Sequence, residues 1–245
     1  MKQLWMGLLS VGLLLAGLHP VMSGAQEPDT TGEDPGLEST PEAVADPAPE
    51  ATPGPRGPGA AAKRKLPRVA IAVSVDGEDG RKIGLGNIII ELHPEDAPRH
   101  VANFLKLVDE GFYNGTTFHR IVPAFVVQCG DQISKRNWQS SLLGTGRDGP
   151  FNTIPEEIGR KHLRGAVAAA RKQDAVNPGR ESSPTQFYIC LADLPALDKD
   201  GYTVFGEVVE GMDVVDKISR VKNAGPGNRN QALQKVEMTS VRKLD

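Results

Sequence analysis

From Arg68 the chain alternates. RVAIAVSV sets Val69, Ile71, Val73 and Val75 against smaller or polar neighbours, the period-two pattern of a half-buried strand. GNIIIEL (86–92) reads as a second strand, and the turn-rich DGEDGRKIGL between the two predicts a hairpin. The period then changes. Over EDAPRHVANFLKLVDEG, Val101, Phe104, Leu105 and Val108 recur at helical spacing, with acidic residues and Pro98 in the expected first turn and Gly111 past the end. Strand-like segments resume at 117–122, 124–129, 165–170, 186–192, 203–209 and 233–241. GMDVVDKISRV (211–221) predicts a second helix with Met212, Val215 and Ile218 near one side. The chain is therefore all-β dominated. Eight strands with short turns and two helices predict an eight-stranded antiparallel closed barrel capped by two α-helices. The Gly-rich stretch 134–164 is expected as a surface excursion, too long to be a structureless connection without a role.

The segment ahead of Arg68 has a different character. Lys2 precedes an apolar run, Leu4–Leu18, broken only by Gly and Ser; Pro20 ends it, and Ser23-Gly24-Ala25 offers small residues for cleavage. The run is shorter than the roughly 18–20 apolar residues a bilayer span needs. Residues 1–25 thus read as a signal peptide cleaved after Ala25, with no membrane span left afterwards and a periplasmic or secreted location. Residues 26–67 are rich in Pro, Ala, Gly and Glu, with Leu37, Val44 and Leu66 as their only larger aliphatics. Such a stretch cannot bury enough apolar surface to offset its ordering entropy, so a disordered linker is expected. Residues 68–245 remain as one domain.

Charge excludes one class of partner. Residues 1–67 carry 5 of the 28 basic and 8 of the 31 acidic residues, leaving 23 of each in the domain, and a neutral domain without a basic stripe argues against nucleic acid. Cys129 and Cys190 stand in apolar runs, where buried free thiols are expected over a bond. His93, His100, His119 and His162 do not fall at zinc-ligand spacings with one another or with either cysteine.

The chain has no G-x-S-x-G, no P-loop, no H-E-x-x-H and no obvious carboxylate pair. FHRIVPAFVVQCGD (118–131) nevertheless places an arginine and a glutamine in otherwise apolar strands. One reaction needs no nucleophile, base, metal or cofactor. Rotation about an X-Pro bond breaks amide resonance against a barrier of about 18–20 kcal/mol. An apolar recess for the proline ring and a donor favouring the twisted amide suffice to speed it.

Three separated segments, FHRIVPAFVVQCGD, SSPTQFYICLAD and LDKDGYTVFGEVVEGMDVVDKI, resemble the cyclophilin-type peptidyl-prolyl isomerases, in the family's order and across essentially all of 68–245. GTGRDGPFNTIPEEI resembles the bacterial branch. The resemblance implies a barrel with two capping helices, isomerase activity without metal or cofactor, and proline-containing peptides as partners; the signal peptide adds unfolded exported proteins. It assigns Arg120 and Gln128 as catalytic. It assigns Phe125, Val126, Ala170, Gln186, Tyr188, Leu197 and Tyr202 as substrate-binding; Val126 takes the place of a family methionine, Tyr188 of a phenylalanine and Tyr202 of a frequent histidine. Arg171 replaces a family asparagine, either to favour acidic substrates or to point into solvent. His119 is expected to be structural, and Phe104 and Phe112 to belong to the core. The alternative is a non-catalytic chaperone or scaffold module on the same fold. A monomer is expected in either case.

Overall fold

The computed structural model describes residues 65–146 and 152–245. The expected signal peptide, and the linker up to residue 64, lie outside the described residues.

Eight strands form one sheet: β1 Arg68–Asp76, β2 Lys82–Leu92, β3 Arg120–Val122, β4 Val126–Cys129, β5 Ala166–Arg171, β6 Ser182–Cys190, β7 Val204–Glu210 and β8 Val236–Leu244. Their spatial order is β3-β4-β6-β5-β7-β2-β1-β8, and every neighbouring pair is antiparallel. The expected closed barrel is corrected here: the sheet is a curled half-barrel with β3 and β8 as its end strands. Between these two, Thr117 ahead of β3 makes an isolated bridge to Glu237 of β8, and Arg120 of β3 makes one to Gln231 ahead of β8. At three residues, β3 is too short to carry a continuous ladder across the seam. Among the described residues three α-helices replace the expected two: α1 Pro98–Asp109, α2 Ile133–Arg136 and α3 Met212–Ser219. A single turn such as α2 is too short to show a helical period in the sequence.

Local chemistry explains the boundaries. Pro98 opens α1, where its missing N–H costs nothing, while Glu95 and Asp96 stay in the preceding turn rather than in the helix. The helix buries Val101, Phe104, Leu107 and Val108; Leu105 is half-buried. Gly211 starts α3 at φ 91°, and a Cβ there would meet the Asn87 carbonyl oxygen at 2.2 Å, so only glycine fits. Between β3 and β4 the chain reverses over Pro123-Ala124, the Phe125 N–H donating to the Val122 carbonyl at 3.0 Å.

Strand alternation sorts the side chains onto two faces. Ile121, Val127, Cys129, Val167, Ala169, Phe187, Ile189 and Phe205 point inward to the main core with Phe104 and Phe112. Val126, Ala166, Ala168, Ala170, Tyr188, Cys190 and Val204 form a second apolar cluster on the other face, with Phe125, Leu197 and Tyr202 packed on it. That outer cluster is the floor on which the site is built. Both cysteines are buried and free.

Candidate active site

The register places the polar strand residues side by side. Arg120 pairs with Gln128 across β3 and β4, Gln128 pairs with Tyr188 across β4 and β6, and Tyr188 pairs with Ala168 of β5. All share the outer face, because each differs from its inward-facing neighbour by one residue. Arg120, Gln128 and Tyr188 of this row line a cavity of about 440 Å³. Arg120, Phe125, Val126, Gln128, Ala170, Tyr188, Leu197 and Tyr202 all line it, so residues chosen from separated segments converge on one recess. Gln186 does not reach this cavity; it lines an adjoining one of about 300 Å³, which Gln128 and Ala170 share.

Gln186 acts from beside the recess. Its Nε2 donates to Asp131 at 3.3 Å, and its Oε1 accepts from Gln128 Nε2 at 3.0 Å. This fixes the Gln128 amide with its oxygen toward Arg120, whose Nη1 donates to it at a long 3.4 Å. The guanidinium is half-buried and has no carboxylate within ion-pair distance among the described residues. Burial pulls its pKa down from the ordinary arginine value and Tyr202 opposes the fall; the group remains a cation. An uncompensated, partly desolvated cation therefore faces an apolar recess.

The aromatic wall has its own support. Tyr188 donates its hydroxyl to His162 Nε2 at 3.1 Å, and His162 Nδ1 donates to Asp198 at 2.8 Å. Asp198 also accepts the His162 backbone N–H at 2.8 Å, and that bond heads the causes holding its carboxyl below the usual range. Burial, reinforced by Cys190 and Tyr202, pushes the Tyr188 phenol well above its ordinary pKa, so it stays a donor. Tyr202 meets the Tyr188 ring edge-on, with centroids 6.0 Å apart.

Arg171 does not point into solvent. Its side chain is 3 % exposed, with Nη1 2.6 Å from Asp174. It donates to the Lys172 carbonyl at 2.9 Å and to the Asp200 carbonyl, and its guanidinium lies 4.6 Å over the Tyr202 ring. Asp174 offsets the charge, and the residue braces Tyr202.

Several site residues were not visible in the sequence. The far wall comes from Ser140, Ser141, Leu143 and Gly144, facing Pro226 and 229–231. Only the excess length of the 134–164 stretch hinted at such a use. Asp131, fully buried, holds this wall as well as Gln186, through the Gly144 N–H at 2.8 Å. His119, expected as structural, is buried and lines the same cavity.

The chain shares its family and its fold with known proteins. A family model described as cyclophilin type peptidyl-prolyl cis-trans isomerase/CLD matches residues 79–243. A peptidyl-prolyl cis-trans isomerase of Helicobacter pylori is 40% identical over 144 residues, covering 57% of this chain and 78% of the relative. A probable peptidyl-prolyl cis-trans isomerase of Brucella suis is 41% identical over 150 residues, covering 60% of this chain and 73% of the relative. The crystal structure of a cyclophilin type isomerase from Cryptosporidium parvum superposes with a TM-score of 0.58 at 21% identity, covering 74% of this chain and 98% of that one, which shows the shared fold. The chain belongs to the cyclophilin-type peptidyl-prolyl cis-trans isomerases and is an isomerase of X-Pro peptide bonds.

Proposed function

We propose that Arg120 catalyses the rotation by stabilising the half-turned imide. The proline ring rests against Phe125, Val126 and Leu197, with Tyr188 and Tyr202 closing the recess and the small Ala170 leaving room for the peptide. As the bond twists, conjugation is lost and the prolyl nitrogen gains lone-pair character. A guanidinium N–H pointed at that nitrogen is worth more in the twisted state than in either planar one, which lowers the barrier. Gln128 offers its fixed carbonyl oxygen to a backbone N–H of the substrate, because its amide nitrogen is turned to Gln186 Oε1. No proton changes hands, so His119 has no base to play. The supporting observation is that Arg120, without a carboxylate partner among the described residues, lines the same cavity as Phe125.

The test is an isomerisation assay by NMR exchange on short X-Pro peptides. Arg120→Ala lowers kcat/KM by about 10²–10³-fold, the usual loss for one preorganised donor, with the fold intact. Arg120→Lys recovers only part, because a point charge does not reproduce the planar fork. Turnover unchanged in Arg120→Ala overturns the assignment.

The clients we propose are proteins folding after export, reached by a monomeric domain on the 26–67 tether once residues 1–25 are removed. The support is the order Lys2, apolar run, small residues at 23–25. Proline-limited folding steps take tens of seconds uncatalysed, which gives such an enzyme its use. Intact-mass analysis of protein made in a bacterial host shows a new N-terminus at Gln26 in the extracytoplasmic fraction; a chain retaining Met1 in the cytoplasm overturns it.

A further inference from the structure

His93, just past β2, is 2 % exposed, yet neither ring nitrogen has a hydrogen-bond partner among the described residues. Its backbone is engaged: the N–H donates to the Phe205 carbonyl at 3.0 Å, and its carbonyl accepts from Asp96 at 3.2 Å and Ala97 at 3.0 Å. That turn brings Glu95 and Asp96 next to the ring. Buried polar groups are almost always satisfied, so an imidazole with two idle nitrogens calls for a ligand. Its surroundings are anionic. Nδ1 faces Glu95 at 3.9 Å and Nε2 faces Glu207 at 3.8 Å, both beyond hydrogen-bond reach. A ring nitrogen and one oxygen each from Glu95 and Asp96 lie within 4.8 Å of one another.

We propose that His93, Glu95 and Asp96 bind a divalent cation of the zinc, nickel or copper(II) class in the turn between β2 and α1. A neutral imidazole with two carboxylates is the donor set that class accepts, and Glu95, Asp96 and Glu207, less the Arg160 cation, leave two negative charges to balance the ion. The Glu95 side chain is 57% exposed and free to rotate inward. An outer shell is already in place. With Nδ1 on the ion, Nε2–H is directed at Glu207, the arrangement by which a carboxylate orients a ligating histidine. Arg160 holds Asp96 Oδ2 at 3.0 Å and stands 3.9 Å from Glu207, leaving the other Asp96 oxygen for the ion. The histidines fail the spacing rule when compared only with one another and with cysteines; carboxylates from the turn complete this set. None of these residues lines the Arg120 cavity, so the ion ties down the turn and takes no part in the rotation.

The full-length protein, stripped with EDTA, is titrated with zinc chloride while the imidazole nitrogen resonances are followed by NMR. The expected result is a saturable shift of the His93 nitrogens at one equivalent and a Tm that rises with zinc. Glu95→Gln weakens the affinity by about tenfold or more. His93→Asn identifies the resonances; should it fail to fold, Glu95→Gln, made at an exposed side chain, carries the test alone. His93 resonances unmoved by excess zinc, or a Glu95→Gln variant binding zinc as tightly as the wild type, overturn the proposal.

Discussion

Tyr188 shows how one atom divides stability from activity. The resemblance places phenylalanine at this position, so the ring alone serves the recess, while the hydroxyl answers to His162. Tyr188→Phe is expected to leave kcat/KM within about threefold, because ring and shape persist, yet to cost about 1–3 kcal/mol of unfolding free energy by leaving His162 Nε2 buried and unsatisfied. Urea denaturation alongside the isomerase assay checks both; a large loss of turnover with unchanged stability would place the hydroxyl in the chemistry instead. Arg171 teaches a related lesson. Its charge suggested a contact with substrate or solvent, but Asp174 and the Tyr202 face absorb it. A sequence shows that a cation is present; only the neighbours show whether the charge is available.

At the scale of elements, helix starts are set by partners far along the chain. The α1 N-cap, Ala97, offers no side-chain acceptor. Glu157 supplies it instead, accepting the Arg99 and His100 N–H groups at 3.1 Å each and the His100 ring at 2.7 Å. The helix itself was legible from its spacing, but its cap was not, since no local pattern encodes an acceptor that distant. The start of α3 is the reverse case, a backbone constraint met by one residue. Gly211→Ala forces a side chain into a positive φ and against the Asn87 carbonyl oxygen. It is expected to destabilise the domain by about 2–5 kcal/mol, read as a lower urea midpoint at unchanged m-value. A midpoint equal to the wild type would show that the α3–β2 contact yields freely.

For the whole molecule, the His100–Glu157 pair sets a pH response. Burial presses the His100 pKa below its ordinary 6.5, against the opposing pull of Glu157. On acidification the unfolded chain therefore takes up that proton first, and stability falls as the pH drops from about 6.5 toward the lowered native value. For Glu157, burial acts upward, but the hydrogen bonds from the His100 ring and from the Arg99 and His100 N–H groups prevail and hold it below 4.5. Its contribution is complete above 4.5 and is lost as the pH falls through the depressed native value. Urea midpoints across pH 7 to about 3 are thus expected to decline in two stages, with the lower stage reduced in Glu157→Gln. An acid profile identical in that variant would remove Glu157 from the account.

The local code was strong in this chain. Alternation with period two identified β1, because side-chain direction in a strand depends only on parity, and the same parity separates Ile121 and Val127 from Val126 and Gln128 in the folded sheet. Three motifs identified the family, and eight of the nine site residues assigned by the resemblance line one cavity, Gln186 standing in the adjoining one. Closure, helix caps and support of the site depended instead on residues distant along the chain. The short β3 left the sheet a half-barrel. Asp131 aims Gln186 and Gln128, His162 holds Tyr188, and the 140–144 wall faces 229–231. None of these contacts has a periodic signature. Each is a bond between groups that become neighbours only when the sheet curls, so the folded structure decided them.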